Sequence, residues 1–472
     1  MAGADIRRFS SDRRGVRANA PLAAAAGGFA ALAETLILPQ IILAYFVGQL
    51  TVSYVAVGFV AAIATGVWAL GRLPVAMLTS TQRRKQPWAL AAALVRAAAL
   101  ALLALVTFRA DAAGSVANDE GLLRSFFICF VAFAFASGFA SVPTEALIAK
   151  SIPNLTRARF YRQRAWLALG FAILGALVVV RLFEQESGAG LRPFALLFLA
   201  ATVSEVAVAV LLASLREPQR VAEPRGGAAL SAVRMLPAAL GDGGFRRFLL
   251  FRTLLSLSAI VDPFLIVFAL SRLGVSSAAV GVYVLVLVLS MAATRPLWAT
   301  LAMRSGERAV LQVSALLRLA PPLLALLLPY LAATGFYRDR FPAALTVAVL
   351  FGIAFACLGA AAAGQGRGNF GYLAEFAPVR LRARYATLTN GLLAALAFAP
   401  VLGGRLVERA GYDALFLTAA VVALLSVFVS GALTNAFVRN RHAAMPRRHV
   451  QGSTPPSAFA TGASASGAEE IS

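Results

Sequence analysis

The stretch Pro153-Asn154-Leu155-Thr156-Arg157-Ala158-Arg159-Phe160 returns as Pro378-Val379-Arg380-Leu381-Arg382-Ala383-Arg384-Tyr385. Pro, Arg-Ala-Arg and an aromatic keep one register, 225 positions apart (153 to 378). Ala93-Leu94-Val95-Arg96 is echoed by Ala315-Leu316-Leu317-Arg318, 222 positions on. Val57-Gly58 with Arg72 is echoed by Val280-Gly281 with Arg295, 223 positions on. Three echoes in order at nearly constant spacing divide the chain into two similar halves.

The 472 residues are 60% hydrophobic and only 14% charged, with mean hydropathy +0.78. That composition points to membrane spans. A span needs about 20 apolar residues. Twelve runs qualify: 21–47, 53–78, 87–108, 124–149, 160–182, 193–215, 245–271, 276–302, 308–333, 341–364, 383–404 and 412–436. Each must be a helix, because lipid offers no partner to free backbone groups. The expected fold is therefore all-α, with twelve transmembrane helices in two pseudo-symmetric six-helix halves. The Arg-rich start runs straight into the first apolar run, which reads as an anchor rather than a cleaved leader. The expected organisation is a cytoplasmic N-terminal segment 1–17, a six-helix bundle 18–215, a cytoplasmic linker 216–244, a second bundle 245–437 and a disordered tail 438–472. Within the linker, Leu230, Val233, Leu236 and Leu240 have the spacing of a short amphipathic helix lying on the membrane surface.

A net charge of +22 raises the question of nucleic acid. The basic residues flank apolar runs instead of forming one patch, so no nucleic-acid partner is expected. With the N-terminus inside, 29 Lys and Arg fall in inner segments and 9 in outer ones. That imbalance puts both termini in the cytoplasm and fits an inner (plasma) membrane protein in contact with lipid, expected to be a monomer. Cys129 and Cys357 lie in apolar runs, and the histidines, His442 and His449, lie in the tail. A His/Cys metal site and His-dependent chemistry are not expected, nor is any cofactor. No nucleophile with a nearby base and no Gly-x-x-x-x-Gly-Lys-Ser/Thr loop occurs, so neither an enzyme nor an ATP-driven pump is expected.

Two six-helix halves, both termini inside and a long central connection resemble the major facilitator superfamily. The resemblance spans residues 18–437. The repeated basic stretch falls after spans four and ten, where that superfamily often has a basic loop. Pro400-Val401-Leu402-Gly403-Gly404 followed by Gly411-Tyr412 and Phe416 resembles its eleventh-helix ending. Gly71-Arg72-Leu73-Pro74-Val75-Ala76-Met77-Leu78 lacks the Asp and second Gly of the superfamily's loop after span two, and only Arg83-Arg84-Lys85 keeps the basic end. No subfamily is identified. The resemblance implies a central cavity lined by helices one, four, seven and ten.

Ionisable groups at membrane depth cost several kcal/mol and are site candidates by default. Glu34, central in span one, is the first candidate for proton coupling and for substrate contact. A carboxylate that takes up a proton in one facing state and releases it in the other is what coupling requires; the bland reading is a protonated Glu bonded to a neighbouring helix. Asp262 before Pro263 is its partner candidate, with Pro39 as the counterpart break in span one. Asp before Pro can equally cap a kinked helix. Glu205 is central in span six, a peripheral helix in the superfamily, where a bond within the first half is the bland reading. Arg252 is expected to bind an anionic group, pair with a carboxylate or snorkel. Arg96 and Arg318 sit at matching depth and suit a scaffold. Gln40, Phe130, Phe133, Phe264 and Phe268 complete the candidate substrate site. Glu145, expected to pair with Lys150 or Arg157, joins Arg157, Arg159, Arg382 and Arg384 as a candidate cytoplasmic gate, with topology and lipid contact as the alternative role.

The expected function is secondary transport by alternating access, proton-coupled, of a small hydrophobic neutral or cationic molecule, with export favoured. The alternatives are a transporter-fold sensor or assembly factor and an uptake permease for a small metabolite.

Overall fold

The computed structural model describes residues 2–75, 84–114, 119–152, 154–185, 190–218, 236–334, 343–379 and 381–434, with side chains from residue 19 onward except at 154–155, 332–333, 343–345 and 383. Leu230, Val233, Arg83 and the tail fall outside them. The first helix already begins at Ala2, so the N-terminal segment is continuous with span one.

Among the described residues, eleven stretches are long and apolar enough to cross a membrane. They are Asn19–Leu50 (span one), Tyr54–Val75 (two), Gln86–Ala112 (three), Glu120–Ser151 (four), Thr156–Gln185 (five), Arg192–Ala213 (six), Gly243–Ser271 (seven), Ala278–Ser305 (eight), Glu307–Leu331 (nine), Thr346–Phe376 (ten) and Arg384–Gly431. At 1.5 Å per residue the last would be about 72 Å long, over twice a bilayer core of about 30 Å. It is divided at Gly411, whose φ of 80° no ordinary helical residue adopts. The two pieces are spans eleven and twelve, and the count of twelve holds.

Span one packs on five and six, and span three on four and six. Span ten packs on eight and nine. The halves meet where span five lies on eight and span two on eleven, a pair of contacts related by the duplication. Glycine lets these backbones touch. A Cβ on Gly281 would sit 2.4 Å from Val180 Cα, and one on Gly404 would sit 2.4 Å from the Tyr54 carbonyl oxygen.

Spans one and seven are both broken near the middle. Leu38 is driven out of helical geometry (ψ 113°) by Pro39, because the residue before proline clashes in the α region. A π-helical turn, Pro39–Leu43, follows. In span seven a 3-10 turn, Ser258–Val261, precedes Asp262–Ser271 with Pro263 at its start. Proline brings no N–H for the preceding turn, so the helix reforms beyond it.

The apolar cores report the facing state. One cluster joins both halves at the end opposite the Arg-rich loops, with Phe46, Phe126 and Phe194 from one half and Phe264, Phe268 and Tyr283 from the other. At the Arg-rich end the cores separate. One cluster holds Leu147, Phe160 and Val208 of the first half; another holds Phe248, Tyr372 and Tyr385 of the second. Ser53 Oγ donates to Glu408 at 2.9 Å, and Tyr54 meets Tyr412 edge-on at 5.3 Å, across the closed end. The molecule is closed there and parted at the Arg-rich end.

Candidate functional site

Glu34 is exposed and lines a cavity of about 240 Å³ inside the first half. The walls come from all six spans of that half, among them Trp68, Arg96, Ser137, Thr144 and Arg164. Water occupies about 30 Å³ in the liquid, so a space of this size has room for several molecules, between walls that are mostly apolar with a few polar groups. Behind it, Arg96 donates to Glu205 in a close ion pair. The Glu205 side chain is fully buried. The guanidinium also lies 5.3 Å above the Phe133 ring, a cation–π contact that steers it. Glu34 is within electrostatic range of Glu205. Glu34 and Arg96 line the same cavity, and Glu205 Oε2 is buried without a hydrogen-bond partner.

Asp262 is elsewhere. Arg318 of span nine holds it in a second close ion pair, with the arginine side chain 7% and the aspartate side chain 21% exposed. Arg96 and Arg318 are duplicates by position, and each takes a carboxylate from a different helix of its own half. Asp262 does not line the Glu34 cavity.

The aromatic candidates are packed. Phe130, stacked on Phe126 at 5.6 Å, and Phe133 are buried. Phe264 is buried against Gly403, and Phe268 against Tyr412 and Phe416. Phe130, Phe264 and Phe268 belong to the core of the closed end. Gln40 is half-buried in the π-helical turn. Arg252 lines a separate cavity of the second half, considered below.

The repeated basic stretch has the same job in both halves. Arg157 donates to the Ala149 and Ile152 carbonyls at 3.0 and 3.4 Å, and Arg382 Nε donates to Ala377 at 3.1 Å. Each closes the last turn of the preceding span. Phe160 and Tyr385, in matching register, are buried in their separate cores. Arg159 and Arg384 are exposed. Glu145 pairs with Arg164 (3.3 Å) and accepts from Tyr161 (3.2 Å), both from span five, rather than with Lys150 or Arg157. Lys150 is five residues along the helix and so points to another side; it reaches Glu217 at 2.9 Å. Arg157, Arg382 and Glu145 are thus engaged within their own halves.

Sequence reasoning missed Glu217. Its carboxylate accepts from the Lys85 and Gln86 backbone N–H groups at 2.8 to 2.9 Å, capping span three, and from Lys150. Burial pushes its carboxyl up, but the two N–H donors and the Lys150 ammonium outweigh that and hold it below the ordinary value. Glu375 accepts from the Glu307 N–H at the start of span nine in the same way, at 3.3 Å. Among the described residues no cluster of His, Cys, Asp and Glu could hold a metal.

Among solved structures, the chain is similar to a mutant of the nucleoside transporter NupG (15% identity, TM-score 0.62, 88% of this chain and 99% of that one). It is similar to a POT family transporter in complex with 5-aminolevulinic acid (11% identity, TM-score 0.62, 88% and 96%). It is also similar to a D-xylose-proton symporter (14% identity, TM-score 0.59, 88% and 97%). The chain has the major facilitator superfamily fold. It is a multi-pass membrane protein. Identities this low identify the architecture and leave the subfamily open. No protein-family model matches the sequence, and no curated protein matches it.

Proposed function

We propose that this chain is a secondary transporter that moves a small molecule by alternating access, coupled to protons through Glu34 and Glu205 of the first half. The observation that carries this reading is a charged cluster at membrane depth. Arg96 is paired with the buried Glu205, whose second oxygen has no partner, and Arg96 and Glu34 line one cavity. One proton on this trio changes its charge at membrane depth, where charge is costly. A change of that size can bias a two-state equilibrium between facing states. The parted end carries the Arg-rich loops, so by the positive-inside rule this is the inward-facing state. Structural similarity to a proton symporter supports the coupling.

Asp262, clamped by Arg318 beside the break in span seven, is then a second charge pair that the rocking motion can load and unload. The arginines Arg157, Arg159, Arg382 and Arg384, with Glu145, become gate residues when the inner ends close. The aromatic rings that favoured a hydrophobic or cationic cargo lie mostly in the closed end, where they seal it against leakage. Cargo class is carried by polar groups instead.

The test is a proteoliposome with a pH-sensitive dye inside, offered a panel of sugars, nucleosides, amino acids and organic acids. At least one compound should drive proton movement in the wild type. Glu205→Gln and Glu34→Gln should abolish the proton signal while exchange of that compound across the membrane survives. A panel that never moves protons, or variants that couple normally, would contradict the proposal.

A further inference from the structure

Among the described residues, Arg96 of span three and Arg318 of span nine are each matched by a carboxylate, whereas Arg252 of span seven is not. Arg96 has Glu205 and Arg318 has Asp262. Among the described residues Arg252 makes no hydrogen bond and no ion pair, and its Nε is buried without a partner. Phe248, Phe370, Leu373 and Ala386 form the apolar part of its surroundings. Arg252 lines a cavity of about 140 Å³ between spans seven, ten and eleven, with Asn369, Thr389 and Asn390. Asn369 Oδ1 is a second buried polar atom with no partner. Thr389 spends its hydroxyl proton on the Tyr385 carbonyl at 2.8 Å, which leaves its oxygen able to accept. Phe370 and Asn390 at the rim are exposed, so the cavity is reachable from outside the bundle.

We propose that Arg252, with Asn369 and Asn390, is an oxyanion subsite that takes the carboxylate or phosphate group of the transported molecule. Arg252 is half-buried with its Nε shielded from water, and an unmatched charge is costly in such a place, so a guanidinium kept here suits an anion from outside the chain. Its planar fork fits a carboxylate or phosphate with two parallel hydrogen bonds. Asn369 Oδ1 needs a donor, so the preferred ligand carries a hydroxyl or amino group beside its anionic one. The volume matches a few waters and suits an end group rather than a whole ligand. Proton coupling then belongs to the first half and anion recognition to the second. The subsite rests on the transporter reading for its cargo role; the binding itself does not.

The test uses the purified full-length protein in lipid-free detergent. Thermal unfolding is followed with sodium lactate, 4-hydroxybenzoate, benzoate or phosphate, each against sodium chloride at equal ionic strength. At least one oxyanion should raise the wild-type Tm saturably. Arg252→Gln should weaken that response at least tenfold, and Arg252→Lys should retain part of it. Asn369→Leu should weaken lactate more than it weakens benzoate. If Arg252→Gln does not fold, phenylglyoxal modification of wild-type Arg252, read by mass spectrometry, should be blocked by the same oxyanion. No response from any oxyanion, or an equal response from Arg252→Gln, overturns the subsite. Protection by phosphatidylglycerol in mixed micelles with none by the soluble anions makes it a lipid contact and also overturns the proposal. None of these readouts involves proton movement, so their failure leaves the coupling reading standing, and failed coupling leaves the subsite standing.

Discussion

Arg96 and Glu205 are 109 positions apart and meet with both side chains largely buried. Leaving one of them alone is worse than removing both, because an uncompensated buried charge costs more than the pair gains. Arg96→Leu should therefore lower unfolding stability by about 3–5 kcal/mol. Adding Glu205→Leu should recover most of that loss, measured as unfolding midpoints in one detergent. Equal and additive losses would mean that the pair is not coupled. Sequence alone exposed each of these groups as an ion at membrane depth, but not its partner. Depth along a helix is readable from counting; the direction a side chain faces, and what waits there from a distant helix, is set by packing. For that reason Arg96 and Arg318 read as scaffold and Glu205 as peripheral, while the structure makes both arginines the hubs of charge pairs.

At the scale of elements, the duplicated stretch was legible because its work is local. Arg157 and Arg382 close the helix just before them, and Phe160 and Tyr385 anchor the helix just after. The proline breaks of spans one and seven were legible for the same reason. Glu217 was not, since the N–H groups it caps are 131 and 132 positions away. Its carboxyl is held below the ordinary value, so its contribution is complete above about pH 4.3 and is lost as pH falls through the depressed value. Glu217→Gln should cost about 1–3 kcal/mol at pH 7. That difference from wild type should shrink as the pH drops below 4; a pH-independent difference would contradict the capping role. The close approach of spans five and eight makes a different prediction. Gly281→Leu drives a side chain into the Val180 backbone and should force the closed end apart. In a background without Cys129 and Cys357, a cysteine replacing Leu50, 1% exposed, should then react with a water-soluble maleimide. It should stay unreactive when Gly281 is kept.

For the whole molecule, the two-half plan and the count of twelve spans followed from repeats and run lengths, and Gly411 falls in the gap left between the eleventh and twelfth runs. The facing state did not follow, because two facing states share one sequence and differ in free energy by only a few kcal/mol. A sensor built on the same fold would keep one of them; a transporter must visit both. Spin labels at Arg159 and Arg384, exposed duplicates at the Arg-rich ends of the two halves, report the gap directly. Double electron–electron resonance on the full chain in lipid nanodiscs should give a long distance, matching the parted end, and a shorter one whose share changes with pH. Glu205→Gln should remove that pH response. A single distance, unchanged from acid to alkaline pH, would contradict proton-coupled alternating access.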